Sequence, residues 1–352
     1  MENINQRRVI NSNDHTINDF TVGLRKIFDY LPGKDLLNCL LVSKTFNSEI
    51  ITNSNCMDKI AFSTVDKELS IANLVLKRSV RKYQHLRVKS VIGYKTNFRT
   101  KKFNWKSIDF QNAYVGPYVT KFLKRFTKTV TKIRFVNCSV INGRETYSIP
   151  FLNKFETLEI SSDNTLECAK IFCKFRRQLN TLKNLKIPQK AFGILTNILL
   201  KWNVQLERLH LTDPVVTNIT DSIDSLRTQK NCLKELTMEI LDQTSMSFFW
   251  DELICLERLT LGADYPEFYG IYRELKTNKT LKYIRFNSED LPLHVYQSIS
   301  ISTPNLSKIY LSSTKPQLCD KSSSQEYSGA ELREMFKTIK IINPYNIDYK
   351  CK

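Results

Sequence analysis

Cysteine and histidine are the side chains from which nucleophilic, acid–base or metal chemistry would first be built, and their spacing here favours none of the three. Nine cysteines stand at positions 39, 56, 138, 168, 173, 232, 255, 319 and 351. No two form a CxxC pair, so neither a zinc site nor a redox dithiol is indicated, and reduced thiols packed in or near a core are expected. The four histidines, His15, His85, His210 and His294, lack any local cysteine or carboxylate arrangement of the triad kind. GxGxxG, GxxxxGKS/T, GxSxG and HExxH are all absent. The reading is of a non-enzyme with no catalytic residue, no metal and no cofactor.

What remains is recognition by charge and surface. The formal charge is +18, and it is concentrated. Between Lys77 and Arg144 eighteen Lys or Arg stand against a single acid, Asp109. Such a region suits an acidic protein or a nucleic acid; the plainer account is a solvated basic face. Tyr94, Phe98, Phe103, Trp105, Tyr114, Tyr118, Phe122 and Phe126 are interleaved with it, a mixture that single-strand stacking platforms use. Trp105 nevertheless falls on a core pattern, and Phe122 and Phe126 are at helical core spacing, so most of these rings are expected inside.

The elements that position the charges come from a repeat: apolar, two variable, apolar, one variable, apolar. Its last two anchors read Leu86/Val88, Ile108/Phe110, Ile133/Phe135, Leu158/Ile160, Leu185/Ile187 and Leu209/Leu211. Leu236/Met238, Leu259/Leu261, Ile284/Phe286, Ile309/Leu311 and a weaker Ile339/Ile341 follow. Copies recur every 22 to 30 residues, close to the leucine-rich-repeat range of ~20–29. The pattern predicts short strands with alternate side chains in a shared core, each followed by a helical return such as AFGILTNILLKWN or TDSIDSLRTQKN. Asp221, Ser245 and Pro266 sit where helix starts are expected. The Asn or Cys usual three positions after the last anchor is met by Cys138, but elsewhere it is Val91, Ala113, Asp163, Lys190, Pro214 or Thr314. An irregular array follows from that.

Alternation places one set of side chains on the outward strand face. Between the second and third anchors stand Arg87, Asp109, Arg134, Glu159, Lys186, His210, Thr237, Thr260, Arg285 and Tyr310. Lys132, Arg208, Arg258, Tyr283 and Lys308 precede the second anchor on the same side. Arginine and tyrosine are frequent interface anchors. Arg87, Lys132, Arg134, Lys186, Arg208, His210, Arg258, Tyr283, Arg285 and Tyr310 are therefore the candidate substrate-binding residues, for an acidic or phosphorylated protein segment.

At the N-terminus, Leu24, Ile27, Phe28 and Leu31 fall on one helical face, Pro32-Gly33 turns the chain, and Asp35 opens a second helix carrying Leu36, Leu37, Leu40 and Leu41. Ser43 is placed to cap a third with Phe46 and Ile50. The stretches LRKIFDYLPGKDLLNC and LLVSKTFN resemble an F-box, the helical module that docks on the Skp-type linker of cullin–RING ubiquitin ligases. Leu24, Ile27, Phe28, Leu31, Pro32, Asp35, Leu36, Val42 and Phe46 correspond to its pattern, although its opening Leu-Pro is missing and Phe46 replaces the usual Trp. The resemblance implies linker docking through these residues and Leu37. With the repeats it implies an F-box/leucine-rich-repeat adaptor that recruits a protein substrate. A repeat scaffold binding protein or nucleic acid, without a ligase role, is the alternative.

The expected organisation is α/β. A tail at 1–18 precedes the three-helix F-box-like module at 19–57 and a linker helix at 58–80. About eleven repeats at 81–342 form a horseshoe solenoid, strands on the concave face and helices on the convex one, before a tail at 343–352. The polar first residues lack a secretory apolar core, and no stretch approaches the ~18 apolar residues of a membrane span. A soluble protein of the cytoplasm or nucleus, without membrane contact, is expected.

Overall fold

The computed structural model describes residues 13–65, 68–79, 81–90, 103–141, 147–213, 220–239, 248–262, 275–286, 293–311, 340–342 and 348–349. Tyr94, Phe98, Ser245, Pro266, Pro214, Thr314, Val91 and Ile339 lie outside them. The chain divides into two compact units, Met1–Asp109 and Phe110–Lys352.

The first unit begins with helices α1 (Asn13–Tyr30), α2 (Gly33–Cys39), α3 (Lys44–Thr52) and α4 (Ser54–Met57). Leu24, Phe28, Leu36, Leu40, Ile50, Cys56, Met57 and Ile60 form their core, with Leu31 and Phe46 partly enclosed against it. The Phe28 and Phe46 rings meet edge to face at 5.2 Å. Ser43 Oγ accepts the Phe46 amide and so caps α3, and Asn53 Oδ1 accepts the Asn55 and Cys56 amides to cap α4. The α1–α2 turn is closed by Lys59, whose Nζ donates to the carbonyls of Leu31 (3.1 Å) and Asp29. Gly33 belongs to this closure, because a Cβ there would run into the Lys59 carbonyl.

The expected boundaries need three corrections. Residues 13–18, read as tail, already belong to α1, since Ile17, Phe20, Leu24 and Phe28 continue one helical spacing. The segment 58–80, read as linker helix, holds strand β1 (Ala61–Val65) before helix α5 (Leu69–Arg78). Strand β1 pairs in parallel along β2 (His85–Lys89), Phe62 beside Leu86 and Thr64 beside Val88, so the ladder begins one strand earlier than the repeat pattern. The tail at 343–352 contains a short strand at Asp348–Tyr349.

Strand β3 (Ser107–Gln111) carries Ile108 and Phe110, both buried. In the second unit a short strand β4 (Tyr114–Val115) and helix α6 (Pro117–Leu123) lead to β5 (Lys132–Val136). Strand β6 (Ser139–Val140) pairs with β4 and precedes β7 (Thr157–Ser161). Then follow α7 (Thr165–Cys173), β8 (Asn184–Pro188), the paired short helices α8 (Gln189–Gly193) and α9 (Thr196–Lys201), β9 (Arg208–Thr212), α10 (Thr220–Arg227), β10 (Glu235–Glu239) and β11 (Arg258–Gly262). Strand β12 (Tyr283–Phe286), helix α11 (Leu293–Ser302), β13 (Lys308–Leu311), β14 (Lys340–Ile342) and β15 (Asp348–Tyr349) complete it. The long sheet is open and parallel until β15 turns back against β14.

Equivalent anchors sit side by side, Leu158 with Leu185, Leu185 with Leu209, Leu209 with Leu236, and Leu236 with Leu259. All are at most 2% exposed. First anchors from Trp105 to Leu306 are buried as well, whereas Tyr83 is only partly so. Just ahead of β3 and of β7 to β13 the loops are bonded to one another as well, as where the Glu207 amide donates to Lys183 O (2.8 Å) and Lys234 N to Glu207 O (2.9 Å). Fully buried Gln229 accepts the otherwise orphaned Leu206 amide at 2.9 Å. Several strands leave through the left-handed region at Ser90, Asn112, Asn137 and Asp213, a conformation Asn and Asp tolerate. The thiol of Cys138, one residue past such a turn, donates to Phe110 O (3.4 Å).

Two substitutions test this packing. Gly33→Ala should destabilise the helical module by about 1–3 kcal/mol, because backbone must shift. Gly23→Ala in α1, where an added Cβ meets nothing within 4 Å, should be neutral or stabilising by ~0.5–1 kcal/mol. Denaturant midpoints compare them, and equal effects would contradict the closure at Lys59. In the second unit Leu236→Ala should cost ~2–5 kcal/mol, and hydrogen exchange should rise first in β9, β10 and β11. A loss spread evenly over all strands would contradict nearest-neighbour stacking.

Candidate functional site

Two surfaces bear on function, one in each unit. In the helical module, the residues expected to dock a linker divide. Leu24, Phe28 and Leu36 are 8%, 1% and 0% exposed, so they are core and position the surface without forming it. Leu31 and Phe46 are half-buried supports. Ile27, Pro32, Asp35, Leu37 and Val42 are exposed. The run Leu36-Leu37-Asn38-Cys39-Leu40-Leu41 explains the division, since it carries two apolar faces. Leu36 and Leu40 point inward and Leu37 and Leu41 outward. Three further exposed apolar side chains were not among the residues expected to dock, Val22 at 53%, Leu41 at 86% and Tyr30 at 89%. The doubled apolar spacing in α2 was the available signal for Leu41. Arg25 pairs with Glu49 (2.6 Å) and Asn53 Nδ2 donates to Asp29 Oδ1 (3.1 Å), tying α1 to the α3–α4 segment behind this surface.

The second surface is the outward strand face. Parity puts Lys132, Arg208, Glu235, Arg258, Tyr283 and Lys308 in one row, and Arg134, Glu159, Lys186, His210, Thr237, Thr260, Arg285 and Tyr310 in the next. Many of its cations already have partners. Glu159 takes Lys132 (2.5 Å) and Arg134 (3.6 Å), and Glu235 lies 3.5 Å from Arg208 and 3.6 Å from Arg258. In the first unit Arg87 pairs with Asp109 at 2.9 Å. Such half-exposed pairs contribute only ~0–1 kcal/mol each, yet they reduce the charge left for a ligand. A groove of about 220 Å³ runs between Glu159, Lys186, Arg208, His210, Glu235 and Thr237. Partial burial, then the Lys186 ammonium, hold His210 below the usual imidazole range, while Glu159 pulls the other way. Farther along, the Arg258 guanidinium lies 4.6 Å from the Tyr283 ring centre, and Tyr283 and Tyr310 rings are 5.0 Å apart.

A column just ahead of the strands escaped the sequence reading. Glu156–Lys183 (3.5 Å), Glu207–Lys234 (3.4 Å) and Glu257–Lys282 (3.1 Å) alternate in sign at the residue after each first anchor. Glu207, Lys234 and Glu257 border a groove of about 390 Å³ that Cys232 and Cys255 also line. The sign alternation at repeat spacing was legible.

The basic stretch is distributed over both sides. Lys121, Lys124 and Lys128 are exposed on and after α6, away from the strand face. Trp105, Phe122 and Phe126 are buried, as their spacing implied, and so is Phe103. Burial, then Asp213, push the Cys168 thiol up to about 11, the behaviour of a packing residue. Among the described residues no group of three or more His, Cys, Asp or Glu is arranged to hold a metal ion, and no helix is long and apolar enough to cross a membrane.

Comparison with known proteins locates one of these surfaces in a family. No curated protein matches the chain. Among solved structures, a chain of the Toll–Spatzle complex of Drosophila is similar with a TM-score of 0.36 and 12% identity. That likeness covers 73% of this chain and 39% of the other, and at this score it supports no argument. Residues 23–56 match the family described as F-box domain. The helical module thus carries an F-box domain, the element by which adaptors of Skp–cullin–F-box ligases bind the Skp-type linker.

Proposed function

We propose that the chain is a substrate-recognition adaptor of a Skp–cullin–F-box ubiquitin ligase. In this reading the box binds the Skp-type linker and through it a cullin–RING ligase. The parallel ladder is a leucine-rich-repeat solenoid whose concave strand face holds an acidic or phosphorylated segment of a protein substrate. The observation that carries the proposal is the F-box match at residues 23–56, on a module that leaves Ile27, Leu37, Leu41 and Val42 exposed. Exposed aliphatic side chains beside one another on a small domain are the composition of a protein interface. The chain itself needs no active site, because ubiquitin transfer belongs to other subunits and the adaptor supplies proximity. It would act in the cytoplasm or nucleus.

The alternative, a repeat scaffold for nucleic acid, relied on aromatic rings within the basic stretch. Phe103, Trp105, Phe122 and Phe126 are occupied in cores and offer no stacking surface, while Tyr114 is exposed and Tyr118 half-buried; the F-box match at residues 23–56 is what favours the adaptor reading.

Leu37→Asp combined with Leu41→Asp tests the docking face. Both side chains are exposed, so the isolated chain should melt as the parent does. In a complex each carboxylate would be buried unpaired, and linker affinity should fall at least about tenfold, ~1.4 kcal/mol or more. Titration calorimetry with the linker subunit measures it. Unchanged affinity in a normally folded variant would place docking elsewhere.

A further inference from the structure

We propose that the four turns leading into β5, β7, β8 and β9 form a binding edge for a single-stranded nucleic acid. The inference stands apart from the ligase reading and from the strand face. Lys124, Lys128, Lys154, Arg176, Arg177 and Lys201 supply the charge, and Phe151 and Trp202 the rings.

Core packing puts these side chains outside. In the first turn Leu123, Phe126 and Val130 are buried, which leaves Lys124 and Lys128 exposed. In the second, Ile149, Leu152 and Phe155 take the interior, and Phe151 and Lys154 the exterior. In the third, Phe175, Gln178 and Leu179 point inward, and Arg176 and Arg177 outward. At the end of α9 the buried pair Leu199 and Val204 is joined by a bond from Val204 N to Leu199 O (3.1 Å). The chain turns there through a left-handed Asn203 (φ 44°), and Lys201 and Trp202 are left outside. Phe151 is 49% exposed and Trp202 42%.

The turns are stacked in chain order. Asn153 N donates to Thr127 O (2.8 Å) and Ile149 N to Lys174 O (3.0 Å). Bonds from Lys183 N to Glu156 O (2.9 Å) and from Glu207 N to Lys183 O (2.8 Å) carry the stack on to β9. Neighbouring strands and helices lie about 5–10 Å apart, so the track is about 15–30 Å long, room for several nucleotides.

The charge on this track is open. Among the described residues none of the six cations has a carboxylate partner. The carboxylates of the same repeats are engaged elsewhere, Glu156 by Lys183, Glu167 by Lys170 and the Val140 amide, and Glu207 by Lys234. Between Gln111 and Phe155 the sequence holds one acid, Glu145, which lies outside the described residues next to Arg144. Asp221, whose side chain is also outside them, opens α10 beside Gln189, at the far end from Lys201. The track stops at the turn into β10, where Arg227 is held by Asp224 (2.8 Å) and Glu252 (3.2 Å). Beyond it Lys276 pairs with Asp251 (3.2 Å).

A row of unpaired cations suits a polyanion, because each neutralised phosphate releases a counterion. The rings narrow the class. Exposed aromatic faces among cations hold single strands, with bases on the rings and phosphates on the cations. In a duplex the bases are stacked on one another and closed to such rings. A lipid surface takes up a cluster of apolar side chains together. Here the turn of Arg176 and Arg177, which exposes no large apolar side chain, separates Phe151 from Leu200 and Trp202. An acidic protein segment would use the cations and leave the rings idle.

Fluorescence anisotropy with the full chain tests the proposal. The probes are dye-labelled oligouridine RNA and oligothymidine DNA of about twelve nucleotides, with a duplex of equal length, phosphatidylserine-containing vesicles and a glutamate-rich peptide as rivals. Either single strand should bind more tightly than all three rivals, and the tighter of the two identifies the sugar. With about four phosphates engaged, log affinity should fall against log salt with a slope of about −3. Arg176→Glu with Arg177→Glu should weaken binding at least about tenfold and flatten that slope, and so should Lys154→Glu with Lys201→Glu. Should one pair fail to fold in a melting curve, the other decides. Trp202→Ala should weaken binding about fivefold or more with the slope unchanged, and Trp202→Tyr should retain most of the affinity. Arg258→Glu with Lys308→Glu makes the same change in net charge on the strand face and should leave binding within about twofold. A loss there equal to the loss from the track variants overturns the proposal. So does any rival bound as tightly as the single strands, or absence of single-strand binding.

Discussion

In-register stacking of apolar anchors is the constraint on which the second unit depends. One strand with its helical return cannot bury its own apolar face, and Leu209, Leu236 and Leu259 are hidden only because each is covered by the next. A slip of one residue would put Leu236 in water and Thr237 in the core. Register is thereby enforced by burial, and it fixes the opposite face too. Once the leucines point inward, Arg258, Tyr283 and Lys308 must share a row. The positions of these outward side chains are a consequence of core packing.

The helical module uses the same physics on a smaller scale. Leu36 and Leu40 lock α2 to the core, so Leu37 and Leu41 are presented without freedom to retreat. The Lys59 ammonium, held by the carbonyls at the end of α1, and the tight approach of Gly33 hold the turn that aims α2. An apolar face built this way is preorganised, a property that lowers the ordering cost of any binding.

Much of this was legible in the sequence. Period-two alternation within a period near 25 named the strands of the long sheet from β2 to β14, because burial on one side leaves a strong pattern, but not the separate pair β4 and β6. The Ser43 cap and the turn at Pro32-Gly33 were readable from local chemistry. Strand β1 was not, since Lys59 stands where a first anchor belongs and the buried alternation rests on Thr64, a residue that does not announce a core. The docking residues were half legible. Matching a family pattern named Leu24, Phe28 and Leu36 without separating residues that hold the module together from those that face a partner. Ion pairing on the strand face was the other blind spot: Glu159 was visible as outward, but its hold on both Lys132 and Arg134 is a matter of neighbouring strands.

The central claim is that the box engages the linker while the strand face stays available for substrate. Hydrogen exchange of the full chain, with and without saturating linker subunit, tests it directly. The account predicts new protection confined to peptides spanning residues 27–46, with the peptides of β5 to β13 unchanged. Absence of protection in the box, or protection along the strands instead, would contradict it.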